Sequence, residues 1–427
     1  MVREGRYHEV ITINGKNNLT IKGFQDERPT IDGTVDLQNL ENDGVWQRLN
    51  NGVCIGTIGH EVFQLFLNGE MMTNARWPNA LWSDKTVFQN QYWAHSHEDS
   101  TRGTASSNTS GVATMVDDGS AGLAASGLNM TGAMAVLNVG SFNTFVKEVI
   151  SHTPNEANFT YVDDFMNINF KAAHNQYYLD SSLELLDYPG EWHYDMANES
   201  KRLSFIPPNN ESCPEPGAVK GRVIDYAITI TNSTNIFLAN MDFFASNLMA
   251  EGTKKKTDEV SGITLDSLNF NYPSSSKRML KDHSVPKHTK LIAKGFGEVS
   301  VINCNFFGAE GSALQYWGKP AKIKNNMFSW NDWSGQMGLI ANGGYGTVYS
   351  SPTSKDEEFI GNTLFHNGAS AGYRSGKTPT VSDNLVVGQA DGEIMNDGSG
   401  IQIQVCKEHN SIVLMYINLY LVHMPKT

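Results

Sequence analysis

Val301-Ile302-Asn303-Cys304-Asn305-Phe306 and Ile323-Lys324-Asn325-Asn326-Met327-Phe328 are two versions of one phrase. An apolar, strand-forming run reaches an Asn, and a Phe follows three residues later. The phrase can be laid over Asn240-Met241-Asp242-Phe243, Ser267-Leu268-Asn269-Phe270, Asn362-Thr363-Leu364-Phe365 and Asn384-Leu385-Val386-Val387. The first positions of the six copies are then 27, 36, 22, 37 and 22 residues apart. A basal period of 22 residues with longer insertions suits a β-solenoid, where each repeat lies on its neighbour and insertions leave as loops on one side. The Asn column would form an amide ladder at a turn, and the Phe/Val column would stack inside.

The same grammar opens the chain. Val10-Ile11-Thr12-Ile13-Asn14-Gly15, Leu19-Thr20-Ile21-Lys22-Gly23 and Pro29-Thr30-Ile31-Asp32-Gly33 read as strand, turn, strand. It returns in Ile228–Asn232 and Ile236–Asn240. Composition agrees. Of 427 residues, 41 are Asn and 39 are Gly, both poor helix formers, which argues against an all-helical chain. With 40% hydrophobic residues, including 8 Trp, 15 Tyr and 20 Phe, a sizeable core can be buried.

The formal net charge is −13, so the chain has no basic footprint for a nucleic-acid partner. No apolar run reaches the ~18 residues of a membrane span, and Met1–Gly5 carries no signal-peptide core. Cys54, Cys213, Cys304 and Cys406 lie far apart without a CxxC spacing, which is neither a zinc pattern nor a dense disulfide scaffold. Seven Asn-x-Ser/Thr sequons, at Asn18, Asn108, Asn129, Asn158, Asn198, Asn210 and Asn232, are a weak pointer to a secreted glycoprotein.

Asn18–Gly23, Pro29–Gly33, Val301–Phe306 and Phe359–Asn367 together resemble the pectate-lyase-like superfamily. The resemblance covers about 1–40 and 215–405. It implies an all-β chain built as a right-handed parallel β-helix. It specifies activity poorly, because that superfamily holds polysaccharide lyases, glycoside hydrolases, epimerases and phage tailspikes. Residues 41–215 do not keep the 22-residue beat. Asn68-Gly69-Glu70, Ala75-Arg76-Trp77-Pro78-Asn79 and Gly190-Glu191-Trp192-His193-Tyr194-Asp195 resemble elements of secreted β-helix glycosidase-like proteins that carry an inserted β-sandwich. The expected organisation is coils over 1–40, an inserted β-rich module over 41–215 and the main β-helix over 216–405. Residues 406–427 form an irregular tail, and the uncapped ends read as those of a fragment or an imperfect gene prediction.

Chemistry is expected seven residues beyond the Asn column, at Asn247, Ser274, Glu310, Asp332, Ala369 and Asp391. Stacked coils lie about 4.8 Å apart, so Glu310 and Asp332 become neighbours and Asp391 lies two coils on. Carboxyls about 5 Å apart suit a retaining glycosidase, and about 6.5–9.5 Å an inverting one. Close carboxyls also push each other's pKa values apart, as an acid and a base require. The alternatives are acids on exposed turns, or ligands of Ca²⁺.

Gln315, Tyr316, Trp317, Trp333, Arg374, Asn396 and Asp397 are candidates for sugar binding, through aromatic faces and hydrogen-bonding side chains. Trp330 reads as packing. His95–Asp99 and the basic stretch Lys277–Lys290 read as solvated loops. Arg374 is also the base expected of a β-eliminating lyase, and His366 is a general acid/base candidate. The leading expectation is an extracellular or cell-surface polysaccharide-acting enzyme, a glycoside hydrolase using Glu310, Asp332 and Asp391 with no required cofactor. The others are a uronate lyase using Arg374 and Ca²⁺, and a non-catalytic glycan-binding or structural surface protein.

Overall fold

The computed structural model describes residues 1–103, 111–139, 144–164, 170, 172–196, 201–210, 212–252, 259–293, 297–334, 348–350, 354–368, 371–388, 399–402 and 417–422. Among them the structure is nearly all strand, and the only α-helix is the four-residue Leu123–Ser126. Asp391, Asn396 and Asp397 lie outside the described residues.

Two large parallel sheets share the repeat region. One holds Ile11–Asn14, Tyr226–Thr231, Asn247–Glu251, Thr289–Ile292, Leu314–Trp317, Val348–Ser350, Ala371–Arg374 and Ser399–Gln402, in that spatial order. Between successive strands of this sheet the chain runs through two legs of the second sheet. The legs are separate in Val299–Ile302 and Asn305–Phe307. In Ser233–Phe244 and Val260–Asn271 they form one strand, bent at Asn240 and Ser267. Val299 pairs with Ala321, Ala321 with Glu357, and Glu357 with Pro379, so the steps are 22, 36 and 22 residues.

This register corrects the sequence alignment by one residue in its last two copies. Phe328 faces Leu364, and Leu364 faces Val386, so Phe365 and Val387 are not the core positions. The cause is that two adjacent columns favour Asn for different reasons. Asn240, Ser267, Asn303, Asn325, Gly361 and Asp383 take the corner itself, with φ between 51° and 68°. Gly, Asn and Asp tolerate that left-handed backbone best. The next residue, buried, is the ladder. Asn326 Nδ2 donates to Asn362 Oδ1 at 3.0 Å, and Asn362 Nδ2 to Asn384 Oδ1 at 3.1 Å. Each also donates to a strand carbonyl, of Val301, Ile323 or Phe359. The ladder therefore starts one residue after the expected column, and it satisfies backbone groups that the corner would otherwise strand in the core.

Inside, Phe243, Phe270, Phe306 and Phe328 stack nearly parallel, with centroids 4.7, 4.7 and 5.0 Å apart. Such pairs add about 0.5–1.5 kcal/mol each beyond the area they bury. Leu364 and Val386 continue the column.

Between Thr30–Asp32 and Tyr226–Thr231 stands a module of mainly antiparallel sheets, with one parallel pair, Thr73–Asn74 beside Glu191–Asp195. Thr34–Asp36 leads out and Val219–Arg222 leads back, paired antiparallel, so exit and return share one corner. Within the module, Met134–Asn138, Thr144–His152, Asn158–Asp163 and Gln176–Asp180 build a seven-stranded sheet with Gly111–Val116 and two short strands. A second sheet of five strands holds Cys54–Thr57, Glu191–Asp195 and Arg202–Phe205. A disulfide joins Cys54 to Cys213, and Cys304 is a buried free thiol in the coil interior. A longer loop of the repeat region, over 272–288, also leaves at the corner between the second leg and the next strand of the eight-stranded sheet.

Candidate functional site

That corner carries the column Asn247, Ser274, Glu310 and Asp332, all buried. Backbone bonds link Ser274, Glu310 and the segment around Asp332 in successive repeats. Glu310 N–H donates to Ser274 O at 3.1 Å, Asp332 N–H to Ala309 O at 2.7 Å, and Ser334 N–H to Glu310 O at 3.2 Å. A second amide ladder fixes the residue before Asp332. Asn331 Oδ1 accepts from Ala309 N–H at 2.9 Å, and its Nδ2 donates to Asn367 Oδ1 at 3.1 Å and to Phe306 O at 2.9 Å. Asp332 itself has φ of 63°. A β-carbon at Gly368 would stand 2.3 Å from Asp332 O, so the next coil approaches as only glycine permits. Gly368 is thus the neighbour of Asp332 in the next repeat, and Ala369 lies outside the described residues. Asp391, the last position expected in this column, lies outside the described residues.

Glu310 and Asp332 sit in opposite surroundings. Glu310 Oε1 accepts from Arg278 Nη1 at 2.6 Å, and Oε2 from Ser276 N–H at 2.6 Å. Arg278 Nε donates to Asp180 Oδ2 at 2.8 Å, and all three side chains are buried. Arg278 thus ties the antiparallel module to the parallel sheets. Burial pulls its pKa down, but the Asp180 and Glu310 carboxylates outweigh that and hold it above the usual arginine value. Asp332 is fully buried, and among the described residues neither of its oxygens has a hydrogen-bond partner. Loss of solvation alone pushes its carboxyl well above the usual range.

Aromatic side chains surround this corner. Trp333 is 7% exposed and faces Trp82 of the module at 5.9 Å, rather than an open groove. Trp330 packs on Phe88 at 5.3 Å and stacks on His366 at 4.7 Å. Arg76 lies 4.1 Å over the Tyr178 ring, and burial lowers its pKa.

The other expected site residues lie on the eight-stranded sheet. Gln315, Trp317 and Arg374 are half-buried on its outer face, with Gln315 and Arg374 in one column through Tyr349. Gln315 Oε1 is 2.7 Å from His288 Nε2. Tyr316 does not join them. Alternate residues of a strand face opposite sides, so its ring enters the core, where its hydroxyl meets Tyr373 at 3.1 Å and Glu357 at 3.4 Å. Arg278 is another correction, since the stretch Lys277–Lys290 reads as a solvated loop yet contains this buried guanidinium. Arg278 and Asp180, 98 residues apart, carry no local signal of their pairing.

Among the described residues no group of three or more His, Cys, Asp or Glu is placed to hold a metal, and no helix is long and apolar enough to cross a membrane. Two surface hollows, of about 440 Å³ beside Glu27 and Arg28 and about 530 Å³ beside Lys147 and His283, are not lined by Glu310 or Asp332.

No protein-family model matches the chain, and no curated protein matches it. A solved structure titled "Glycoside hydrolase" is similar over 90% of this chain and 79% of its own, with a TM-score of 0.56 and 12% identity. The chain shares its fold with a glycoside hydrolase. At that identity the likeness concerns architecture alone. A second structure, titled "The complex structure of XylC with xylose", covers 94% of this chain and 64% of its own at 8% identity, with a TM-score of 0.27.

Proposed function

We propose that this protein is a glycoside hydrolase acting on a polysaccharide, built as a right-handed parallel β-helix of the pectate-lyase-like kind with an inserted β-sandwich. The alternation of two parallel sheets in steps of 22 and 36 residues supports the solenoid. The observation that carries the functional reading is Asp332. A fully buried, unpartnered carboxyl favours its protonated form, as a general acid must, and the Glu310 carboxylate lies in the preceding coil.

In this reading Asp332 donates a proton to the glycosidic oxygen, and Glu310 assists on the opposite side of the sugar. Gln315, Trp317 and Arg374 bind neighbouring sugars, Trp333 packs behind Asp332, and Asp391, Asn396 and Asp397 extend the site. No cofactor is required. The Cys54–Cys213 disulfide supports an extracellular location, since such bonds persist in oxidising compartments.

The test is release of reducing sugar from a panel of polysaccharides. Asp332→Asn and Glu310→Gln should each abolish it while leaving the circular dichroism unchanged. Full activity in both would sink the assignment. Ultraviolet absorbance from an unsaturated product would instead indicate a lyase, and glycan binding without turnover a non-catalytic protein.

A further inference from the structure

One segment of the antiparallel module, Ala80–Tyr92, reaches the corner that holds Asp332 and joins its aromatic cluster. The segment is braced internally. Thr86 donates to Asp84 Oδ1 through its hydroxyl at 2.7 Å and its N–H at 3.0 Å, and Trp82 N–H donates to Thr73 Oγ1 at 2.9 Å. Its tip is aromatic. Trp82 meets Phe307 and Trp333 at 5.9 Å each, and Phe88 meets Trp330 at 5.3 Å. The Lys85 ammonium lies 3.7 Å over the Trp82 ring and 5.6 Å from that of Trp330. Trp330 and Trp333 bracket Asp332 in the chain. Phe88 Cδ1 is also 3.5 Å from where a β-carbon of Gly368, the neighbour of Asp332 in the next coil, would stand.

We propose that this segment is a positioning element for Asp332, in which Trp82 and Phe88 hold Trp333 and Trp330 in place and so keep water from the carboxyl between them. The inserted module then sets the acid strength of a residue it does not itself carry. The inference rests on the reading of Asp332 as the proton donor. The charged and titratable groups on the neighbouring elements are Glu310 with Arg278, Lys85 on the segment itself, and His366 in the following coil. None of them contributes to the upward shift at Asp332, which comes from burial alone. Removing the aromatic cover should therefore move it.

The experiment compares Phe88→Ala and Trp82→Ala with the conservative Phe88→Leu and Trp82→Phe. Titration of Asp332 is followed directly by its carboxyl infrared band, assigned by subtraction of Asp332→Asn, and the pH–rate profile is recorded beside it. In Phe88→Ala the midpoint should fall by at least one pH unit. The basic limb of the profile should fall with it, because the donor must be protonated to act, and Phe88→Leu should restore most of the shift. If Phe88→Ala does not fold, Phe88→Leu and Trp82→Phe should show the same direction with a smaller shift. An unchanged midpoint in folded variants overturns the inference, even if their melting temperature falls. A shifted midpoint in a protein whose Asp332→Asn form remains active supports the segment's role and overturns the reading of Asp332 as the acid.

Discussion

Asp332→Asn should make the protein more stable while making it inactive, and the gain should grow with pH. The folded state holds Asp332 with a pKa well above the 3.8 of a free side chain. Below 3.8 both states are protonated and the residue costs nothing through ionisation. Above it the unfolded chain ionises while the folded protein still binds the proton. Stability then falls by about 1.4 kcal/mol per pH unit until the folded carboxyl ionises too, after which the penalty is constant. The Asp332→Asn variant would carry no such slope. It would carry a fixed cost or gain from the amide, the same at every pH. Urea unfolding of both proteins at pH 4, 5, 6 and 7 gives the difference directly, and groups common to both cancel. The gap should widen from pH 4 upward by about 1.4 kcal/mol per unit over its first steps. A gap that stays flat, or narrows, would show that Asp332 is ionised or paired in the folded state, and the acid assignment would lose its physical basis.

Two further outcomes test the frame around the site. Asn362→Ala removes the acceptor of Asn326 N–H and Nδ2 and the donor to Ile323 O and Asn384, all in the core, so a loss of about 3–5 kcal/mol is expected in urea unfolding. Asn303→Ala, at an exposed corner with φ of 57°, should cost only about 1–2 kcal/mol, and equal losses would contradict the division of labour between the two Asn columns. Arg278→Met strands the buried Asp180 and Glu310 carboxylates and should cost about 3–5 kcal/mol at neutral pH. In a background carrying Asp180→Asn and Glu310→Gln the same substitution should cost much less, and an undiminished deficit there would deny the pairing.

The core of the repeat was legible because its signal is local and periodic. Phe243, Phe270, Phe306 and Phe328 fall into one stack, as their spacing implied. The slip at the fifth copy has a chemical origin. In Asn325-Asn326 both the corner and the ladder are Asn, so that copy cannot say which column an Asn marks. Gly361 then takes the corner that Asn takes elsewhere, leaving Asn362 as the visible landmark at the ladder position, with Phe365 as a decoy for Leu364. Because the strand period is two, one residue of slip exchanges inside for outside, as it does between Phe365 and Leu364. The partners of Glu310 were out of reach for another reason. Asp180 and Arg278 meet only because the module folds back on the coils, and nothing within a window of sequence around either residue records that contact.

The placement of the long excursions at one corner has a consequence for how such a chain can change. The module between Asp36 and Val219 and the loop over 272–288 both interrupt the same stretch of the circuit. Residues can be gained or lost there without disturbing which strand pairs with which, whereas a single deletion within Val299–Phe307 would turn the core outward. Glu310, Asp332 and Trp333 stand at that seam. Under the proposed function, variation in loop length and variation in substrate choice would be drawn from the same few positions, and one could be explored without putting the ladder or the Phe stack at risk.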